Sequence, residues 1–122
     1  MNKTVNILLA DDHDLMLEGL SNMIQSEEDL NVIGYTHNGK ELIEKTELLQ
    51  PDICIVDLDM PEINGFDAAI HIRKKFPQIR ILILTMHKEK SLLTRLKKES
   101  IEGYLLKTCD RDELLFAIRR II

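Results

Sequence analysis

Residues 5–12 read Val5-Asn6-Ile7-Leu8-Leu9-Ala10-Asp11-Asp12, a short apolar run that stops at two carboxylates. Such a run is far too short to span a membrane and suits a strand buried on both faces. The pattern recurs at residues 31–36, Ile53–Asp57, Arg80–Thr85 and Gly103–Leu106. Between these runs the apolar spacing changes. Met16, Leu17, Leu20, Met23 and Ile24 repeat at three- and four-residue intervals, as do Leu114, Leu115, Ile118 and Ile121, which is the period of a helix with one buried face. Asp14 and Asp110 stand where N-caps are expected, Asn38 can cap a third helix, and Pro51-Asp52 would end it. Five strands alternating with five helices predict right-handed βαβ crossovers and a parallel sheet covered on both faces.

Composition sets the outer bounds. The 122 residues carry 16 Lys and Arg against 21 Asp and Glu, a formal charge of −5. That length suits one domain, residues 1–122, able to bury a core of its own. The acidic balance argues against this segment itself gripping nucleic acid, because phosphate contacts need clustered Lys and Arg. No signal peptide is expected: one basic residue precedes the first apolar run and no small-residue cleavage site follows it. Cys54 and Cys109 are too few for a disulfide framework and lack metal-ligand spacing, so they read as reduced thiols of a cytoplasmic protein.

Ligands of such sheets bind beyond the carboxyl ends of the strands, where strand order reverses. The first run ends in Asp11-Asp12, the third in Asp57, the fourth in Thr85 and the fifth in Lys107. With strand order 2-1-3-4-5 these side chains surround one cleft. Each alone has an ordinary structural explanation: a helix cap, a strand-end threonine, a solvated lysine. Five coincidences at one end of one sheet favour a site. Neighbouring carboxylates repel unless a cation lies between them, and oxygen donors with retained water suit Mg²⁺ or Mn²⁺. A carboxylate can also be the nucleophile of phosphoryl transfer, with metal and lysine neutralising the equatorial oxygens and Thr85 donating a hydrogen bond. No Gly-rich phosphate loop is present, so the phosphoryl donor comes from outside.

These residues carry a resemblance. Asp11-Asp12, Val56-Asp57-Leu58-Asp59-Met60-Pro61 followed by Gly65, Thr85, and Gly103-Tyr104-Leu105-Leu106-Lys107 match, in order and spacing, the receiver domain of two-component response regulators over essentially the whole chain. The resemblance implies a flavodoxin-like (βα)5 doubly wound sheet. It implies Asp57 as phosphoacceptor and Asp12 as a direct Mg²⁺ ligand. Asp11 would ligate through water, and the Asp59 backbone carbonyl would be a further ligand. Lys107 would bind phosphate, and Thr85 and Tyr104 would couple phosphorylation to the face formed by helix 4, strand 5 and helix 5. Leu84-Thr85-Met86-His87 and Gly103–Thr108 look most like the NarL/FixJ-like subfamily with a C-terminal LuxR-type helix-turn-helix. DNA would then be bound only through a domain this chain lacks, and the chain would be an isolated receiver rather than a stand-alone regulator. The implied partners are a sensor histidine kinase and a second copy in a phosphorylation-dependent homodimer. The chain would be no conventional enzyme, catalysing only its own phosphorylation and slow dephosphorylation.

Three positions depart from the family pattern. Thr108 replaces the proline that often follows the lysine, which weakens the expectation of a cis bond there. Asp59 adds charge beside the site, and His87 stands at a position that resembles those tuning dephosphorylation, or is a solvent-exposed loop histidine. The helix between Lys88 and Glu99 has a sparse apolar set (Leu92, Leu93, Leu96), so it is cheap to shift. Two rivals remain: a phosphorylation-independent interaction module of the same fold, and a small phosphohydrolase using Asp57-Leu58-Asp59, for which 122 residues leave no room for a capping insertion.

Overall fold

A computed structural model describes residues 3–86 and 89–122, and all strand and helix assignments below refer to these. Chain order is β1 (Val5–Ala10), α1 (Asp14–Gln25), β2 (Leu30–Thr36), α2 (Gly39–Leu49), β3 (Ile53–Asp57), α3 (Gly65–Lys75), β4 (Arg80–Thr85), α4 (Lys90–Lys98), β5 (Gly103–Leu106) and α5 (Arg111–Ile121). The strands form one parallel sheet in the order β2-β1-β3-β4-β5. The order reverses between β1 and β3, so the carboxyl ends of those two strands flank the crevice where such sheets bind ligands.

Alternation along each strand divides the core in two. Leu8, Ala10, Cys54, Val56, Ile81 and Ile83 face one side and pack under α2, α3 and α4 through Leu42, Phe66, Ala69, Ile72 and Leu96. Ile7, Leu9, Ile53, Ile55, Leu82 and Leu84 face the other side, against Leu17, Leu20, Ile24, Leu114 and Ile118 of α1 and α5. All of β3 is buried. Each buried Ile, Leu or Val contributes roughly 1.5–3 kcal/mol over its exposed state.

The caps explain where helices start. Asn38 accepts from the Glu41 amide at 2.8 Å, and Asn64 accepts from the Asp67 amide at 2.9 Å. Asp110 forms a capping box with Glu113, each side chain accepting from the other's backbone amide. Asp14 differs from expectation. It is the first helical residue of α1, behind an N-cap at His13 that uses no side-chain bond. Its carboxylate instead reaches the His37 Nε2 atom at 2.9 Å, tying α1 to the end of β2. The second strand starts one residue earlier than its sequence pattern, at Leu30.

Helix α4 is the shortest helix and the one with the smallest anchor. Of its residues only Leu96 is buried, and among the described residues no side chain caps its start. The Arg95 guanidinium stacks 4.1 Å from the Phe66 ring centroid, adding a cation–π contact to α3. Its end is a Schellman motif: the Ile101 amide bonds the Leu96 carbonyl and the Ser100 amide bonds the Lys97 carbonyl. Ser100 occupies the left-handed position (φ 60°) that usually goes to glycine.

Candidate functional site

The site is built at the carboxyl ends of β1, β3 and β5. β1 delivers Asp11, which is fully buried, and the more exposed Asp12. β3 ends in Asp57, only 2% exposed. Lys107 directly follows β5, and its ammonium lies 3.1 Å from Asp11 Oδ2 and 3.2 Å from Asp57 Oδ2. One cation thus bridges two buried carboxylates contributed by residues far apart in the chain. The Asp59 amide donates to Asp57 Oδ1 at 3.2 Å, while the Asp59 side chain is exposed and outside this cluster.

The loop after β3 can close over Asp57 only because residue 65 is glycine. A Cβ there would sit 1.9 Å from the Asp57 carbonyl oxygen, and the Gly65 amide bonds the Leu58 carbonyl at 3.0 Å. The same loop presses on the start of α2, where a Cβ on Gly39 would meet the Ile63 carbonyl at 1.9 Å.

Electrostatics follow from burial. Loss of water, then the neighbouring Asp11 charge, push the Asp57 pKa above the ordinary aspartate value; Lys107 and the Asp59 amide pull the other way without prevailing. Burial also disfavours the Lys107 charge, but the two carboxylates together outweigh it and hold the ammonium above the usual lysine pKa. Asp11 Oδ2 is buried, and the Lys107 ammonium 3.1 Å away is its partner. Three carboxylates around a single ammonium leave an excess of negative charge, and such oxygens are the donor set a hard divalent cation favours. Asp11, Asp12, His13 and Asp57 offer ligand atoms that all lie within 4.8 Å of one another. The residues present therefore fit a divalent cation.

Thr85 is buried at the end of β4. Its carbonyl accepts from the Lys107 amide at 2.8 Å, so β4 positions the lysine's backbone. Ile83 pairs with Tyr104, and Thr85 with Leu106. Residues two apart share a face, so Thr85 and Tyr104 lie on the same side of the sheet, above α3 and α4. Tyr104 is half-buried and lines a groove of about 1170 Å³ between α4 and α5, together with Leu93, Lys97, Phe116 and Arg120. The peptide between Lys107 and Thr108 is trans, since no cis bond occurs among the described residues. His87 lies outside the described residues.

One member of the cluster was not singled out from sequence. The His13 Nδ1 atom is 3.0 Å from Asp12 Oδ1 and 3.2 Å from Asp11 Oδ1, and the His13 amide donates to Asp11 Oδ1 at 2.9 Å. Its only signal in the sequence is adjacency to the aspartate pair, which by itself does not say where the ring points.

Comparison with known proteins agrees with this fold. Over 117 residues the chain is 35% identical to the transcriptional regulatory protein LnrK of Bacillus subtilis, covering 96% of this chain and 53% of LnrK. The crystal structure of a LuxR-family two-component response regulator from Aurantimonas superposes with a TM-score of 0.90 at 31% identity, covering 97% of this chain and 84% of that one. The isolated REC domain of RcsB from Salmonella enterica serovar Typhimurium, solved in the presence of phosphomimetic BeF3⁻, gives a TM-score of 0.89 at 29% identity over 96% of this chain and 87% of that one. The chain spans about half the length of the curated relatives it matches. Among the described residues no helix is long and apolar enough to cross a membrane. Residues 7–119 match the family described as the response regulator receiver domain, and with the sheet order and these relatives in agreement, the chain belongs to that family.

Proposed function

We propose that residues 1–122 form a receiver unit that accepts a phosphoryl group on Asp57 from a phosphohistidine of a sensor histidine kinase. The observation that carries this reading is the Lys107 ammonium bridging the Asp57 and Asp11 carboxylates beside Asp12. Asp57 Oδ attacks phosphorus, the P–N bond to the donor imidazole breaks, and its electron pair stays on the departing nitrogen. Lys107 already stands beside the attacking carboxylate and neutralises charge on the transferred oxygens. Asp12 and Asp57 would hold Mg²⁺ or Mn²⁺, with Asp11 acting through water and the Asp59 backbone carbonyl as a further ligand. When bound, the ion offsets carboxylate repulsion and polarises the phosphoryl oxygens.

Thr85 hydrogen-bonds the new phosphoryl oxygens, and Tyr104, on the same face, moves into the space vacated. The adjoining helix is α4, which buries only Leu96, so little packing opposes its displacement. The groove between α4 and α5 changes shape as a result, controlling an output, transcription through a LuxR-type DNA-binding domain, and association with a second phosphorylated copy. Asp59 and His87 tune the phosphoryl lifetime. The setting is cytoplasmic. The RcsB receiver solved with a phosphomimetic supports carrying this reading to a relative of the same fold.

Intact-protein mass after incubation with Mg²⁺ and a small acyl phosphate tests it. One added phosphoryl group is expected, absent from Asp57→Asn and absent without metal. A folded chain that binds Mg²⁺ but never gains the adduct, even under rapid quench, would leave the interaction-module reading in its place.

A further inference from the structure

Building on the cation-site reading above, we propose that His13 is a ligand of that site, adding an imidazole nitrogen that makes it receptive to nitrogen-preferring ions such as Ni²⁺ and Co²⁺. Two observations carry this. First, the ring points into the cluster rather than away from it: Nδ1 lies 3.0 Å from Asp12 Oδ1 and 3.2 Å from Asp11 Oδ1. Adjacent ligands of an octahedral ion with bonds near 2.1 Å are about 3.0 Å apart, so this spacing is that of one coordination edge. Second, the backbone that carries the ring is tied to the site, because the His13 amide donates to Asp11 Oδ1 at 2.9 Å.

Without metal, a proton on Nδ1 is directed at Asp11 Oδ1, with Asp12 Oδ1 3.0 Å away. With the proton on Nε2, which the 68% exposed side chain can present to water, Nδ1 offers a lone pair. Carboxylates alone suit Mg²⁺ and Mn²⁺, whereas imidazole favours ions later in the first transition row. His13 therefore discriminates between the two classes: Mg²⁺ uses the oxygens, while Ni²⁺ and Co²⁺ use the oxygens and Nδ1.

The test is calorimetric titration of the untagged chain, His13→Ala and Asp12→Asn with MgCl₂ and NiCl₂, together with visible spectra of the Co²⁺ forms. The expected result is that His13→Ala loses about tenfold more affinity for Ni²⁺ than for Mg²⁺. The Co²⁺ bands should shift in the same variant. Equal losses for both ions would mean that the ring only latches the carboxylates by hydrogen bonding, and would overturn the proposal. So would Ni²⁺ binding that survives Asp12→Asn unchanged, since the ion would then be held elsewhere. If the wild-type chain binds neither ion, the cation-site reading itself fails, an outcome distinct from failure of His13 alone.

Discussion

Replacing the central carboxylate should make the metal-free fold more stable. In the folded state the charged oxygens of Asp57 lie within 4.8 Å of those of Asp11 and Asp12, where like charges repel by roughly 3.5 kcal/mol at an effective dielectric near 20. The Asp12 share is screened to about half because that side chain is 34% exposed. Lys107, 3.2 Å away, returns roughly 5 kcal/mol. Desolvation of a carboxylate that is 2% exposed adds about 2 kcal/mol or more against the charge. The balance disfavours the charged form by about 2 kcal/mol, the same direction as the raised Asp57 pKa. Asn at this position keeps an acceptor for the Asp59 amide and leaves Lys107 paired with Asp11. Asp57→Asn is therefore expected to raise ΔG of unfolding by about 2 kcal/mol in EDTA near neutral pH.

The pH dependence has a definite sign. Because the folded state holds the Asp57 proton to higher pH than the unfolded chain, wild-type stability declines as pH rises from the ordinary aspartate value of 3.8 through the higher folded value. The Asn variant should flatten that decline. Urea unfolding followed by circular dichroism measures both effects, provided the slope against denaturant is unchanged. Mg²⁺ should stabilise wild type more than the variant, because only wild type gains relief from repulsion. A variant destabilised in EDTA by the 3–5 kcal/mol typical of a broken buried ion pair would refute the reasoning.

Three further outcomes follow from the packing. Ser100→Gly should stabilise the chain by about 1 kcal/mol, because the left-handed backbone at φ 60° strains a side chain that glycine lacks; a lower thermal midpoint would contradict this. Gly65→Ala should cost about 3 kcal/mol or more and suppress any Asp57 phosphorylation, since its Cβ would sit 1.9 Å from the Asp57 carbonyl; an unchanged urea midpoint would show that the loop gives way. Burial pushes the Cys54 thiol pKa to about 12, and the half-buried Cys109 thiol also lies above the ordinary value, so native alkylation near pH 8 should be slow and label Cys109 first. Peptide mapping after a timed reaction decides the order.

Much of this protein was legible in the residues themselves. Ile53–Asp57 is a strand because its apolar side chains have two covered faces to fill, and Gly103–Leu106, half-buried at the sheet edge, carries the same apolar run, a local pattern that needs no structure to read. Asn38 and Asp110 cap helices because their oxygens compete for nearby amides, again a local matter. Asp11, Asp12, Asp57, Thr85 and Lys107 were identifiable because each ends an apolar run, and a parallel sheet brings all such ends to one edge.

What the tertiary structure decided concerns direction and distance. Adjacency could not say that the His13 ring turns inward onto both aspartates, nor that Asp14 leaves its capping role to pair with His37. The need for glycine at 39 and 65 comes from carbonyls of residues 63 and 57, brought within 1.9 Å of where a Cβ would stand by the packing of α2 and α3 against one loop. Sequence alone determined which residues end the strands. Only the folded chain determined that Lys107 lies between Asp11 and Asp57, because a 3 Å contact depends on strand register, loop path and rotamer together, and none of these is written in a local pattern.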